Sequence, residues 1–86
     1  MEIRKGVQAK FFREILAGEK KFEVRLANFE CKKGDVLVLE EEDAKTGKLT
    51  GRTVRKKITL VQKTKDVQFW LEKDVEKYGF QVIQFD

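Results

Sequence analysis

The sequence predicts one α+β domain over residues 1–86, an antiparallel, barrel-like sheet carrying two helices in the order β-α-β-β-β-α-β. Three observations lead there. Two stretches space their apolar residues at helical intervals and each meets a glycine at its end. The stretches between them alternate or run apolar over strand lengths, and short loops join the central ones, which favours antiparallel pairing. An 86-residue chain without proline, repeats or Gly/Ser-rich linkers has room for a single core.

Each element has a local cause. Ile3 can seed an edge strand within Met1 to Gly6. From Val7 the apolar residues fall at Val7, Phe11, Phe12, Ile15 and Leu16, one face of a helix that Gly18 stops. In "KKFEVR", Phe22 and Val24 alternate with Lys21, Glu23 and Arg25, the period-2 pattern of a strand with one buried face. "KKGD" reads as a tight turn at Lys33 and Gly34 that feeds Asp35 into "VLVLEEE", where the aliphatics Val36 to Leu39 imply a strand covered on both faces. Gly47 in the polar loop "DAKTGK" predicts a positive φ and a hairpin. The returning strand "LTGRTVRKKITLV" alternates Val54, Ile58 and Leu60 with Arg55, Lys57 and Thr59, and Gly51 within it implies a bulge or a close approach. Asp66 is placed to cap a second helix with the stripe Val67, Trp70, Leu71, Val75 and Tyr78, ended by Gly79. "FQVIQF" then closes the chain as a strand with Phe80, Val82 and Phe85 facing in.

Composition restricts the chemistry. The chain has no His and no Ser, which removes Ser-His and Cys-His nucleophile pairs and every His-containing zinc site. Cys31 is the single cysteine, so no internal disulfide can form, and as a lone thiol it reads as a packing residue. No apolar run approaches the roughly 18 residues of a membrane span and no signal-peptide segment opens the chain, so a cytoplasmic protein is expected. Glu40 to Asp43 are consecutive and a strand would splay their carboxylates, so no metal site and no cofactor is predicted. A net charge of +4 is compatible with an anionic partner without requiring one.

The candidate site starts from Lys20. It has the parity of Phe22 and Val24, where a buried neighbour belongs, although a cation also suits a helix C-terminus. Glu23 and Arg25 share the opposite face and can pair with each other. Arg52, at the bulge, either aims into a cleft or pairs with Glu40 or Glu42. Arg55, Lys56 and Lys57 form the densest basic run and read as a solvated strand that pairs across to Glu40 to Asp43. Trp70 and Tyr78 fit the helical stripe and read as core, leaving Phe69 as the better stacking candidate.

Gly18, Lys20, Glu23 and Arg25 spell G-x-K-x-x-E-x-R, which resembles the signature of the ASCH domains, a branch of the PUA-like superfamily. The helix "FFREILAG" ahead of it, "KKGDVLVL" behind it and the returning "LTGRTV" look like the small bacterial and phage members, so the resemblance covers nearly the whole chain. It implies a PUA-like pseudo-barrel and a cleft beside the first helix for RNA or a nucleotide, lined by Lys20, Glu23 and Arg25; Arg52, from its place at the bulge, is a further ligand-binding candidate. One group of small proteins similar to this chain hydrolyses N4-acetylcytidine with the signature Lys as base, a Thr nucleophile and a Glu outside the motif. Lys20 matches the Lys, but Glu23 occupies the Thr position, so Glu23 would activate a water while Lys20 stabilises the oxyanion. Glu72 and Glu76 both fit the third role, and the sequence does not choose between them. A protein-interaction module using the same cleft or exposed strand edges is the remaining alternative.

Overall fold

The structure, a computed structural model, describes residues 1–66 and 70–85, with Asp66 described by its backbone alone. Within them lie strand β1 (Glu2–Gln8), helix α1 (Ala9–Leu16), strands β2 (Val36–Glu42) and β3 (Leu49–Lys57), a 3₁₀ turn (Thr64–Asp66) and helix α2 (Glu72–Tyr78). Val67 of the expected stripe, the Asp66 cap and the stacking candidate Phe69 lie outside the described residues. The α+β class holds.

The described strands form one three-stranded sheet in the order β1-β2-β3. It is mixed: β2 and β3 pair antiparallel through their hairpin, but β1 pairs parallel with β2, from Glu2 opposite Val36 to Gln8 opposite Glu42. Short loops between the central strands say nothing about β1. It is separated from β2 by α1 and residues 17–35, a connection long enough for a parallel crossover.

One face of the sheet holds the core. Val7, Leu37, Leu39 and Val54 lie against Phe12 and Ile15 of α1. Phe12 is 1% exposed, and Phe11 and Leu16, read from the same stripe, are at the surface instead. Ion pairs lace the other face: Arg55 Nη2 lies 2.6 Å from Glu2 Oε2, reaching across β2, and Arg4 Nη1 is 3.7 Å from Glu40 Oε2. The basic strand residue Arg55 therefore pairs with β1 and not across its own hairpin. Val38 and Leu39 are both 2% exposed although they point to opposite faces, as the aliphatic run predicts.

The turns follow their glycines. Gly34 (φ 99°) completes the turn in which the Asp35 N–H donates to the Lys32 carbonyl at 3.1 Å. Gly47 (φ 72°) closes the hairpin loop, its N–H donating to the Asp43 carbonyl at 2.8 Å. Pairing jumps from Glu40–Thr53 to Glu42–Leu49, so Glu41 alone faces Thr50, Gly51 and Arg52; this is the bulge expected at Gly51.

Three expected elements differ. "KKFEVR" is not a strand: it joins no ladder of the described sheet, and Lys20 and Glu23, which alternation would put on opposite faces, meet in one ion pair. Residues 80–85 are not a strand either, and Phe80, Val82 and Phe85 are exposed instead of facing in. Helix α2 begins at Glu72 and buries no residue; Trp70 and Tyr78, expected in the core, are 56% and 73% exposed.

Candidate functional site around Glu23

The end of α1 sets the site. Gly18 (φ 77°) sends its N–H to the Ile15 carbonyl at 3.1 Å, and the Glu19 and Lys20 N–H groups both reach the Glu14 carbonyl, at 3.0 and 3.1 Å. This is a Schellman-type stop, which needs the left-handed conformation that glycine adopts without a Cβ penalty. It turns the chain so that Lys20 leaves the helix beside its last turn.

From there the charges converge. Lys20 Nζ lies 3.2 Å from Glu23 Oε1, and Arg25 Nε lies 3.0 Å from Glu23 Oε2. One carboxylate thus joins two cations, and the Lys20 and Glu23 side chains are each only 14% exposed. Arg25 Nη2 also donates to the Gly6 carbonyl, tying the segment to the edge strand β1. A Cβ at Gly6 would meet only the Glu42 carboxylate, the movable end of a flexible side chain. Phe11 and Phe22 flank the Lys20 ammonium, their ring centroids 4.3 and 5.3 Å away. On the far side of the segment, Gln84 accepts a hydrogen bond from the Lys21 N–H and donates to the Glu19 carbonyl at 2.9 Å.

Arg52 belongs to a different group. Its Nη1 lies 3.5 Å from Glu41 Oε2 and its guanidinium 5.4 Å from the Phe12 ring centroid, while Thr50 Oγ1 donates to Glu41 Oε1 at 2.8 Å. The partner is Glu41, not the Glu40 or Glu42 expected. Being alone opposite the bulge, Glu41 turns inward and is 6% exposed, its charge compensated by a hydroxyl and a guanidinium. Among the described residues no hydrogen bond or ion pair links this group to Lys20, Glu23 and Arg25.

Sequence reasoning singled out Lys20, Glu23 and Arg25, which the structure brings together, and did not single out Glu41, Thr50, Phe11 and Phe22. The signal for Glu41 was present: a carboxylate two residues after Leu39 inherits its inward parity. Phe11 and Phe12 are adjacent, so only one of them could point at the sheet, and periodicity alone could not say which. Glu72 and Glu76 are on α2, exposed, and neither is joined to the Lys20 group by a hydrogen bond or ion pair among the described residues. Cys31 is a free, half-buried thiol that lines a shallow pocket of about 520 Å³ with Lys32, Lys33 and Lys63. Among the described residues no three metal-ligating side chains gather, and no helix is long and apolar enough to cross a membrane.

The family model described as "Domain of unknown function (DUF3850)" matches residues 5–75, which include all of the signature segment, α1, both hairpin strands and Arg52. The chain belongs to the DUF3850 family. No curated protein and no solved structure matches it. The family boundaries enclose the Lys20–Glu23–Arg25 junction and the Glu41–Thr50–Arg52 group alike.

Proposed function

We propose that this DUF3850 chain is a PUA-like module of the ASCH type that binds RNA or a nucleotide-sized ligand through Lys20, Glu23 and Arg25, with Arg52 as a further contact. The junction at Glu23 carries the proposal. Two cations share one carboxylate where the helix end and the edge strand meet, and a carboxylate has about four acceptor directions, so Glu23 keeps capacity for a base amino group. Lys20 and Arg25 can exchange that carboxylate for a phosphate, Arg25 in a bidentate fork and Lys20 as a point charge.

The finer fold assignment, a pseudo-barrel, draws support from Gln84. Its amide bridges Glu19 and Lys21 much as a strand rung would, between the two stretches whose sequences alternate like strands. Extending that rung into a ladder would close the sheet beside Lys20.

A chemical-shift titration with cytidine, N4-acetylcytidine and a short single-stranded RNA tests the site. Shifts are expected at Lys20, Glu23 and Arg25, and Lys20→Ala or Arg25→Ala should weaken binding about 10-fold or more, equivalent to about 1.4 kcal/mol, with the fold intact. Unchanged affinity in both variants removes the proposal. The Lys20–Glu23 contact also favours a second reading, hydrolysis of N4-acetylcytidine. Glu23 would take a proton from the water that adds to the amide carbonyl, Lys20 would stabilise the oxyanion, and Glu23 would return the proton to N4 as the C–N bond breaks, releasing acetate and cytidine. Free acetate accumulating in the same samples, and absent with Lys20→Ala, would select it. Neither shifts nor acetate would favour a protein partner.

A further inference from the structure

Phe11 and Phe22 come from different parts of the chain, α1 and the irregular segment after it, yet both rings converge on the Lys20 ammonium. Neither is needed by the core, whose buried cluster is Val7, Phe12, Ile15 and Leu39, and each ring residue keeps 36% of its surface exposed. The Lys20 side chain is 14% exposed, less than either ring residue. A second cation, Lys10, lies 5.9 Å from the Phe11 centroid. Two solvent-facing aromatic rings held around a cation and next to a carboxylate with free acceptor directions have the composition of a base-stacking surface.

Resting on the nucleic-acid reading of this site, we infer that Phe11 and Phe22 form a stacking platform for an unpaired nucleobase, with Lys10 beside it to meet the phosphate backbone. The ligand class is single-stranded nucleic acid. A base inside a duplex has both faces covered by its neighbours, whereas an unpaired one has a free face to lay on a ring. Stacking tolerates every base, because each has a π-face, so the platform supplies affinity while Glu23 and Arg25 supply edge contacts.

Fluorescence anisotropy at one fixed salt concentration tests this with a labelled single-stranded RNA hexamer, an abasic ribose-phosphate strand of the same length and a duplex of the same sequence. The hexamer should bind more tightly than the other two. Phe11→Leu with Phe22→Leu keeps apolar bulk but removes the π-faces, and should weaken hexamer binding about 10-fold while leaving the abasic strand unchanged. Phe22→Tyr should retain wild-type affinity. If the double variant melts early by circular dichroism, Phe22→Leu alone, outside helix and core, gives the same comparison. Leu variants that bind the hexamer like wild type, or an abasic strand that binds as tightly as the hexamer, would overturn the platform while leaving nucleic-acid binding in place. Wild-type protein that binds neither strand removes both.

Discussion

Residues 1–57 and residues 58–85 carry similar apolar patterns and reach opposite ends. In the first region α1 has a sheet to lie on, and Phe12, Ile15, Val38 and Leu39 fall to 4% exposure or less. In the second, α2 has the stripe of an amphipathic helix and buries none of it, and Trp70, Tyr78, Phe80 and Phe85 are all more than half exposed. The contrast teaches that periodicity defines a face, whereas burial needs a partner surface. Helix α1 has one because β1 leads straight into it and β2 lies beside β1.

The sharpest way to break the contrast is a pair of truncations. Phe12→Ala is expected to cost about 3–5 kcal/mol in urea or thermal unfolding, through lost transfer energy and the cavity left behind. Tyr78→Ala should stay within about 0.5 kcal/mol. Equal losses would mean that the two regions unfold as one packed unit. Charged groups offer a second, smaller comparison. Glu41→Ala removes a buried carboxylate but leaves the Thr50 hydroxyl and the Arg52 guanidinium, both exposed, to bond water instead, and should cost about 0.5–1.5 kcal/mol. Lys63→Ala breaks a 3.9 Å pair with Glu30, whose side chain is 88% exposed, and should cost less than about 0.5 kcal/mol.

The smallest effect concerns acid. The Lys32 N–H, and after it the Met1 amino group, holds the Asp35 carboxyl below its ordinary value of 3.8. The Thr46 and Lys45 N–H groups do the same for Asp43. A carboxyl lowered by folding contributes its full stabilisation above about pH 4 and loses it as pH falls through the lower folded value. Both groups sit at turns bordering β2, so acid should loosen the sheet region. Asp35→Asn, which cannot ionise, should flatten that acid dependence in pH-dependent melts, and an unchanged slope would show that the Asp35 contacts do not form in solution.

Much of the fold was legible because its causes are local. Gly18, Gly34, Gly47 and Gly51 each adopt the positive φ that a stop, a turn, a hairpin and a bulge require, and each was readable from its neighbours. The charged triplet was legible too, as was the pairing of Glu23 with Arg25, but not that Lys20 joins the same carboxylate. Alternation separates Lys20 from Glu23, whereas the structure joins them in an ion pair. Glu41 sat inside a run of four acids where its parity with Leu39 marked it as the inward one, but only the bulge shows that Thr50 and Arg52 meet it.

The order of residues was enough for the class, the glycine stops, the hairpin turn and the grouping of Lys20, Glu23 and Arg25, since caps, turns and spacing act over a few bonds. The parallel pairing of β1, the choice of Phe12 over Phe11, the exposure of α2 and the pairing of Arg52 with Glu41 were decided in three dimensions. Each of those depends on which surface comes to lie opposite, and that is settled by contacts between residues far apart in the chain.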